Sequence, residues 1–286
     1  MKRILIFASI LVLLFSGKLF AAPGDVIVED LHDSASIGSK DTRNVVWDAS
    51  ECADGVAPCV MMDCADGDCS GTDGWRLNIP DGKGSEITIV WWERYDTWPL
   101  EWSVGGCKSI RPYNGSSSDE YLAALISFHG GDYMYLSTWE EATVEFNPDV
   151  VTEVRTNTYS YCTENPDGSY DCPHGRIGWQ WEGMGTEWRK MRQWIKMPTS
   201  YSSGDGEIKL WVDGKLHYHV YDKDMWDRGG LEIESVAFAP VDESATPHGH
   251  WYDEITIYEG YVPPDDEPTD NLEPLEAPTE LELTPY

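Results

Sequence analysis

The feature that most constrains this chain is a hairpin between residues 207 and 221. Residues 207–212 and 215–221 alternate apolar and polar side chains, and only Asp213-Gly214 separates them. A two-residue connection of this composition specifies a type I′ turn, whose central positions both take positive φ. A lone hairpin leaves unpaired edges and an apolar face, so it must be built into a larger sheet. The rest of the chain supplies partners. Strand patterns bounded by turn residues recur at 25–31, 86–95, 121–129, 133–138, 143–146, 156–163, 188–197, 231–239 and 251–259. No helical periodicity intervenes, no repeat of 20–50 residues is visible, and fourteen Trp with fifteen Tyr favour sheets. The expectation is an all-β fold, a two-sheet antiparallel jelly-roll sandwich over residues 22–260.

The N-terminus reads as an export signal. Lys2 and Arg3 precede an apolar run from Ile4 to Phe15, and small residues follow at Ala21 and Ala22. The run is too short for a permanent span, so cleavage after Ala21 is expected, giving a secreted (extracellular or periplasmic) chain with no stable membrane anchor. Losing Lys2, Arg3 and Lys18 makes the remainder more acidic than the formal net charge of −31. Such a chain is a poor partner for nucleic acid or anionic membranes, and it suits a salty medium or divalent cations.

Export also explains the cysteines. Seven in an exported chain read as a disulfide framework with one left over. Cys162 and Cys172 flank the turn signal Pro166-Asp167-Gly168, as expected of a hairpin closed by a cross-strand bridge. Cys52, Cys59, Cys64 and Cys69 crowd an irregular Gly/Asp-rich stretch at 50–74, where they are expected to pair among themselves in unspecified order, leaving Cys107. Residues 261–286 carry six prolines, eight carboxylates and no Lys or Arg, the composition of an extended acidic linker or tail.

Three stretches resemble the concanavalin A-like jelly-roll superfamily, in particular its secreted polysaccharide-lyase branch. They are the Trp-initiated strand at 187–197, the Gly204-Asp205-Gly206-Glu207…Trp211-Val212-Asp213-Gly214-Lys215 hairpin, and the closing strand Trp251-Tyr252-Asp253-Glu254-Ile255. A weaker echo lies at Tyr95 and at Gly106-Cys107-Lys108-Ser109-Ile110-Arg111. The resemblance implies the fold and contact with polysaccharide. It does not settle catalysis, because enzymes, lectins and adhesion modules share this architecture. The E-x-D-x-x-E strand of the superfamily's glycoside hydrolases is missing, as are the Gln-x-His and Tyr-x-Lys-x-Gly strands of alginate lyases. Glu182 and Glu187 lie five apart in a Gly-rich loop, which does not supply the paired carboxylates of retaining hydrolysis.

Candidate site residues fall into three groups. Along 188–197, alternation puts Trp188, Lys190, Arg192, Trp194 and Lys196 on one face. This is either a glycan strip, with Trp stacking on sugars and cations pairing with acid groups, or a solvated face whose Lys and Arg stems cover the rings. For β-elimination on a uronate the chain must supply a base, an acid and a carboxylate neutraliser. His129 before Gly130-Gly131, the cations Lys108 and Arg111, and His217, His219 and Tyr221 on one expected strand face are the candidates; each also reads as a locally satisfied side chain. For calcium, a structural ion is the expected role, held by Asp63, Asp66 and Asp68 in the acidic loop or by Glu29 with Asp253 where terminal strands meet. His217/His219 and His248/His250 are zinc-like pairs without a visible third ligand. The functional expectation is a polysaccharide-binding jelly roll that either cleaves uronate-containing glycans by β-elimination or only binds them. The alternative is a structural or adhesion module.

Overall fold

The computed structural model describes residues 24–30, 45–48, 52–53, 59–63, 75–95, 108–114, 125–128, 134–138, 142–156, 162–173, 175–181, 185–223, 230–238 and 249–264. Eighteen strands and no helix occur among the described residues. They are β1 (Val26–Asp30), β2 (Val45–Asp48), β3 (Cys59–Asp63), β4 (Trp75–Asn78), β5 (Glu86–Tyr95) and β6 (Lys108–Tyr113). Next come β7 (Leu125–Phe128), β8 (Met134–Thr138), β9 (Thr143–Phe146), β10 (Val151–Thr156), β11 (Thr163–Glu164) and β12 (Tyr170–Asp171). The last are β13 (Gly175–Trp181), β14 (Arg189–Lys196), β15 (Gly206–Val212), β16 (Lys215–Lys223), β17 (Ser235–Phe238) and β18 (Gly249–Glu259).

All pair antiparallel in two sheets. An eleven-stranded sheet runs β11-β12-β9-β16-β15-β14-β5-β18-β3-β2, with β1 also on β18. A seven-stranded sheet runs β10-β13-β8-β7-β6-β17-β4. Neighbours so remote in sequence, such as β5 with both β14 and β18, make this the expected jelly-roll sandwich. Ile87, Ile89 and Trp91 of β5, with Leu210 of β15 and Tyr218 of β16, meet Ile110, Trp179, Val236 and Phe238 of the opposite sheet. Edge-to-face pairs cross the gap, Trp91 on Phe238 at 6.4 Å and Trp179 on Tyr218 at 5.1 Å between centroids. Each such buried ring contributes about 2 kcal/mol.

The 207–221 hairpin forms as expected, with Asp213 at φ 50° and Gly214 at φ 80°. The Cys162–Cys172 bridge is present, its Cα atoms 4.1 Å apart, and Cys52 pairs with Cys59. The stretch read as irregular contributes a strand of its own, because β3 extends the large sheet beside β18. The stretch expected as one strand at 156–163 is described only at its two ends, with β10 stopping at Thr156 and β11 starting at Thr163. The expected signal at 1–21 lies outside the described residues, as do Cys64, Cys69 and Cys107.

The first residues of the stretch read as a linker or tail are packed. Residues 261–264 lie on the outer face of the large sheet. The Tyr261 ring packs 5.1 Å from that of Trp194 and 6.1 Å from that of Trp211. Arg192 donates to the carbonyls of Val262 (2.9 Å) and Pro263, and Val262 N donates to Thr88 Oγ1 at 3.0 Å.

Candidate functional site

The small sheet turns one face to the core, and on β4, β6 and β17 Arg76, Arg111, Tyr113, Ser235 and Ala237 of its other face are themselves buried. On β4, β6 and β17 the core-facing residues are Leu77, Ile110, Val236 and Phe238. Alternation sends Arg76, Arg111 and Ala237 to the other face. Register then lines them up, because Ala237 pairs with Arg76 on one side and with Arg111 on the other. The two arginine Cα atoms are therefore two strand spacings apart, about 10 Å, with only a methyl group between them.

Two residues along, Ser235 pairs with Tyr113, whose ring serves both cations. Arg76 Cζ lies 3.9 Å from its centroid and Arg111 Cζ 5.9 Å, while Arg111 Nη1 donates to the Tyr113 hydroxyl at 3.2 Å. Arg76 is 8 % exposed, Arg111 6 % and Tyr113 fully covered. Tyr113 is fixed in turn, its carbonyl accepting from Glu234 N at 2.8 Å, and Asn114 Nδ2 donates to the Gly230 carbonyl at 3.1 Å. Cation–π contact offsets part of the cost of burying a guanidinium, and an anion offsets more. On a chain of net charge −31, two buried arginines on one row concentrate positive charge locally.

Behind this face a polar network ties the sheets together. At a register shift between Lys108 and Ile110, Ser109 donates to Glu93 Oε2 at 2.5 Å. Glu93 also accepts from Trp91 Nε1 (2.8 Å) and the Tyr95 hydroxyl, and meets His250 Nε2 at 2.7 Å. Tyr252 donates to the Ser109 carbonyl at 2.6 Å, and Tyr95 stacks on His250 at 4.2 Å. Burial pushes the Glu93 carboxyl up, but His250, Ser109 and Tyr95 together outweigh it and hold it below the usual range. With Glu93 2 % exposed and His250 fully covered, the network is a strut for β6, the strand of Arg111 and Tyr113.

The other expected residues are distributed as follows. Lys108 begins β6, opposite Ser127 in register; His129 lies outside the described residues, directly after β7. His217, His219 and Tyr221 do not share a face. Leu210 pairs with Tyr218 while Trp211 pairs with Leu216, so His217 is the extra residue of a bulge and turns inward against Trp181 at 4.8 Å. His219 and Tyr221 stay outside, with ring centroids 5.3 Å apart. His219 Nε2 meets Glu207 at 3.2 Å, and Tyr221 donates to Glu145 at 3.0 Å. Burial, then the charge of Lys209, lowers the His219 pKa against the pull of Glu207, while desolvation and Glu145 push Tyr221 up to about 12.

Lys190, Arg192, Trp194 and Lys196 do share the outward face of β14, while Met191 and Ile195 point into the core. Arg192 and Trp194 are covered by 261–263, Trp194 Nε1 donates to Glu86 at 3.0 Å, and Lys196 pairs with Glu207 at 3.0 Å. Trp188 precedes the strand, half-buried. For calcium, β1 and β18 do pair, with Glu29 opposite Thr256, and Asp253 accepts from Ala53 N and Glu254 N, both at 2.9 Å. Asp63 ends β3, and Asp66 and Asp68 lie outside the described residues. Among the described residues no three His, Cys, Asp or Glu side chains converge on a metal position.

The sequence reading picks out Arg111 but neither Arg76 nor Tyr113. The only local signal for Arg76 is the alternation Trp75-Arg76-Leu77-Asn78, and nothing in it names β17 and β6 as neighbours.

No family model matches the chain, and no curated protein matches it. Among solved structures it is similar to an endo-β-1,4-glucuronan lyase from the fungus Trichoderma reesei, at 13 % identity and a TM-score of 0.47, covering 84 % of this chain and 98 % of that one. It is similar too to the botulinum neurotoxin serotype D/C binding domain, at 12 % identity and a TM-score of 0.45, over 78 % of this chain and 44 % of that one. A third is the serotype D ligand-binding domain in complex with N-acetylneuraminic acid, at 10 % identity and a TM-score of 0.43, over 78 % and 42 %. The chain thus spans under half the length of the toxin domains it matches. Its own two antiparallel sheets define it as a jelly-roll sandwich.

Proposed function

We propose that this is an exported jelly-roll protein that holds an anionic polysaccharide along the outward face of its seven-stranded sheet. The observation that supports it is the row Arg76–Ala237–Arg111, two buried cations at matched register over one tyrosine. The chain's overall charge repels an anionic polymer at long range, whereas contact at the buried row is screened far less by salt. Binding should therefore strengthen between about 10 mM and 100 mM salt, as the Debye length falls from roughly 30 to 10 Å, the reverse of the behaviour of a basic polyanion binder. The test is calorimetry of the purified chain against neutral and anionic polysaccharides at both salt levels, with and without Ca²⁺. No affinity for any glycan sinks the reading and favours an adhesion or structural module.

A second reading is β-elimination on a bound uronate, favoured by the Tyr113 hydroxyl held against Arg111. A phenol beside a guanidinium is suited to moving a proton, and the arginines are suited to neutralising the carboxylate as charge develops at C5. His129 is the alternative base, since it directly follows the β7 strand that pairs with β6. Cleavage produces unsaturated-sugar ultraviolet absorbance that rises with time. Under this reading Tyr113→Phe or His129→Ala abolishes the rise while binding persists; affinity with no absorbance in the wild type leaves the binding function alone.

A further inference from the structure

We infer that the outward face of the eleven-stranded sheet is a receptor for an extended proline-rich peptide, and that the chain's own Tyr261-Val262-Pro263-Pro264 is its tethered ligand. The receptor is two neighbouring rows across three strands. Trp211 of β15 pairs with Arg192 of β14, which pairs with Val90 of β5. Two residues along, Lys209 pairs with Trp194, which pairs with Thr88. Alternation turns all six outward, on the sheet opposite the arginine row. Two outward tryptophans on diagonal positions make an apolar patch that a solvated sheet face has no use for, and such a patch marks an interaction site. Here it is covered, with Trp211 only 2 % exposed, Trp194 7 % and Thr88 not at all.

What covers it is held as a bound peptide is held. Residues 261–264 belong to no strand, so no ladder ties them to the sheet, and side chains of the sheet make the contacts. The Tyr261 ring packs against both Trp194 and Trp211, and Lys209 Nζ lies 5.2 Å from the Trp194 centroid and 5.6 Å from that of Tyr261. Arg192 donates to two successive carbonyls, those of Val262 and Pro263. The Thr88 hydroxyl donates to the Gly260 carbonyl at 2.7 Å and accepts from Val262 N at 3.0 Å. Pro263 and Pro264 have no N–H to satisfy and fix φ at about −65°, so the segment arrives extended with little conformational freedom left to lose. An aromatic-lined face, a donor to the peptide carbonyls and a pre-extended proline segment are the elements of proline-rich peptide recognition. The charge fits as well. In sequence Pro264 leads into Asp265-Asp266-Glu267, and the receptor rows carry Arg192 and Lys209.

The test is fluorescence polarisation of a labelled peptide with the sequence of residues 260–267. It is titrated with the wild-type chain, Tyr261→Ala, and Tyr261→Ala combined with Arg192→Gln, each checked for an unchanged β-sheet circular dichroism spectrum. In the wild type the tethered segment competes at an effective concentration of about 1 mM or more and keeps the free peptide out. Tyr261→Ala empties the aromatic pocket and should bind the peptide at least about tenfold more tightly than wild type, and losing the Arg192 donor should abolish that gain. Equal affinity of wild type and Tyr261→Ala, measurable or nil, overturns the inference, and so does a double variant that keeps the gain. A Tyr261→Ala chain that gains affinity for a neutral polysaccharide and none for the peptide makes the face a sugar platform and overturns it too. If Tyr261→Ala does not fold, Val262→Pro takes its place and the same outcomes decide, because it weakens the tether by removing the N–H given to Thr88.

Discussion

At the scale of single residues, the buried histidine and the buried glutamate tie stability to pH in the same direction. His217 lies edge-on to Trp181, its Nδ1 has no hydrogen-bond partner among the described residues, and burial, then the charge of Lys215, depresses its pKa to about 3. The unfolded chain takes up a proton near pH 6.5 that the folded one refuses. The stabilisation is therefore full above pH 6.5 and is lost as pH falls towards 3, with a slope of up to about 1.4 kcal/mol per pH unit. Glu93, held below the ordinary glutamate value of 4.5, adds stability that is present above that value and lost in stronger acid. Urea midpoints taken from pH 7 to pH 3.5 should fall throughout, and His217→Phe should flatten the decline from pH 6.5 downwards, leaving only the slope that Glu93 adds in stronger acid; an unchanged slope would show that His217 is not the group responsible. Glu93→Gln should cost about 3–5 kcal/mol at pH 7, because it leaves His250 in the core without its carboxylate partner.

At the scale of elements, the Asp213-Gly214 turn does more than join β15 to β16. Asp213 accepts from Arg189 Nη1 and from Lys190 N, both at 3.0 Å, so the hairpin tip also holds the start of β14. Gly214→Val forces a branched side chain into φ 80° and should lower stability by about 1–2 kcal/mol, read from chemical denaturation. Glycan affinity should not change, since the hairpin and the arginine row belong to different sheets. A loss of affinity larger than the loss of folded protein would move the binding face to the large sheet. The same strand pair shows how far alternation can be trusted: it places His219 and Tyr221 correctly and fails at His217, one residue into a bulge.

At the scale of the whole molecule, residues 261–264 anchor the C-terminal segment to the sheet opposite the arginine row. Burial of Tyr261 together with the hydrogen bonds of Arg192 and Val262 is worth about 3 kcal/mol. A chain ending at Gly260 should therefore melt several degrees lower, with tryptophan emission shifted to the red as Trp194 and Trp211 meet water. Its affinity for polygalacturonate should match that of the full chain. Unchanged emission would mean that the segment does not cover those rings in solution.

Much of this molecule is legible one segment at a time. Alternation and the Asp-Gly turn specify the 207–221 hairpin, the spacing around Pro166-Asp167-Gly168 specifies the Cys162–Cys172 bridge, and an all-β sandwich follows from the succession of strands. Those are local properties, set by side-chain period and turn chemistry within a dozen residues. The arginine row is of another kind. Arg76, Arg111 and Ala237 come from three separated parts of the chain, and only strand order and register make them neighbours. The β14 face, read as either a glycan strip or a solvated face, shows the converse: alternation rightly places Lys190, Arg192, Trp194 and Lys196 together, but only the tertiary structure shows the chain's own residues 261–263 lying over its centre. By itself, then, the sequence determined the all-β class and many of the strands with their polar faces, but it named neither β4 and β6, which carry the arginine row, nor β2, β3 and β13. Which polar faces come together, and which are covered, was decided by strand pairing between distant segments, for which local periodicity carries no signal.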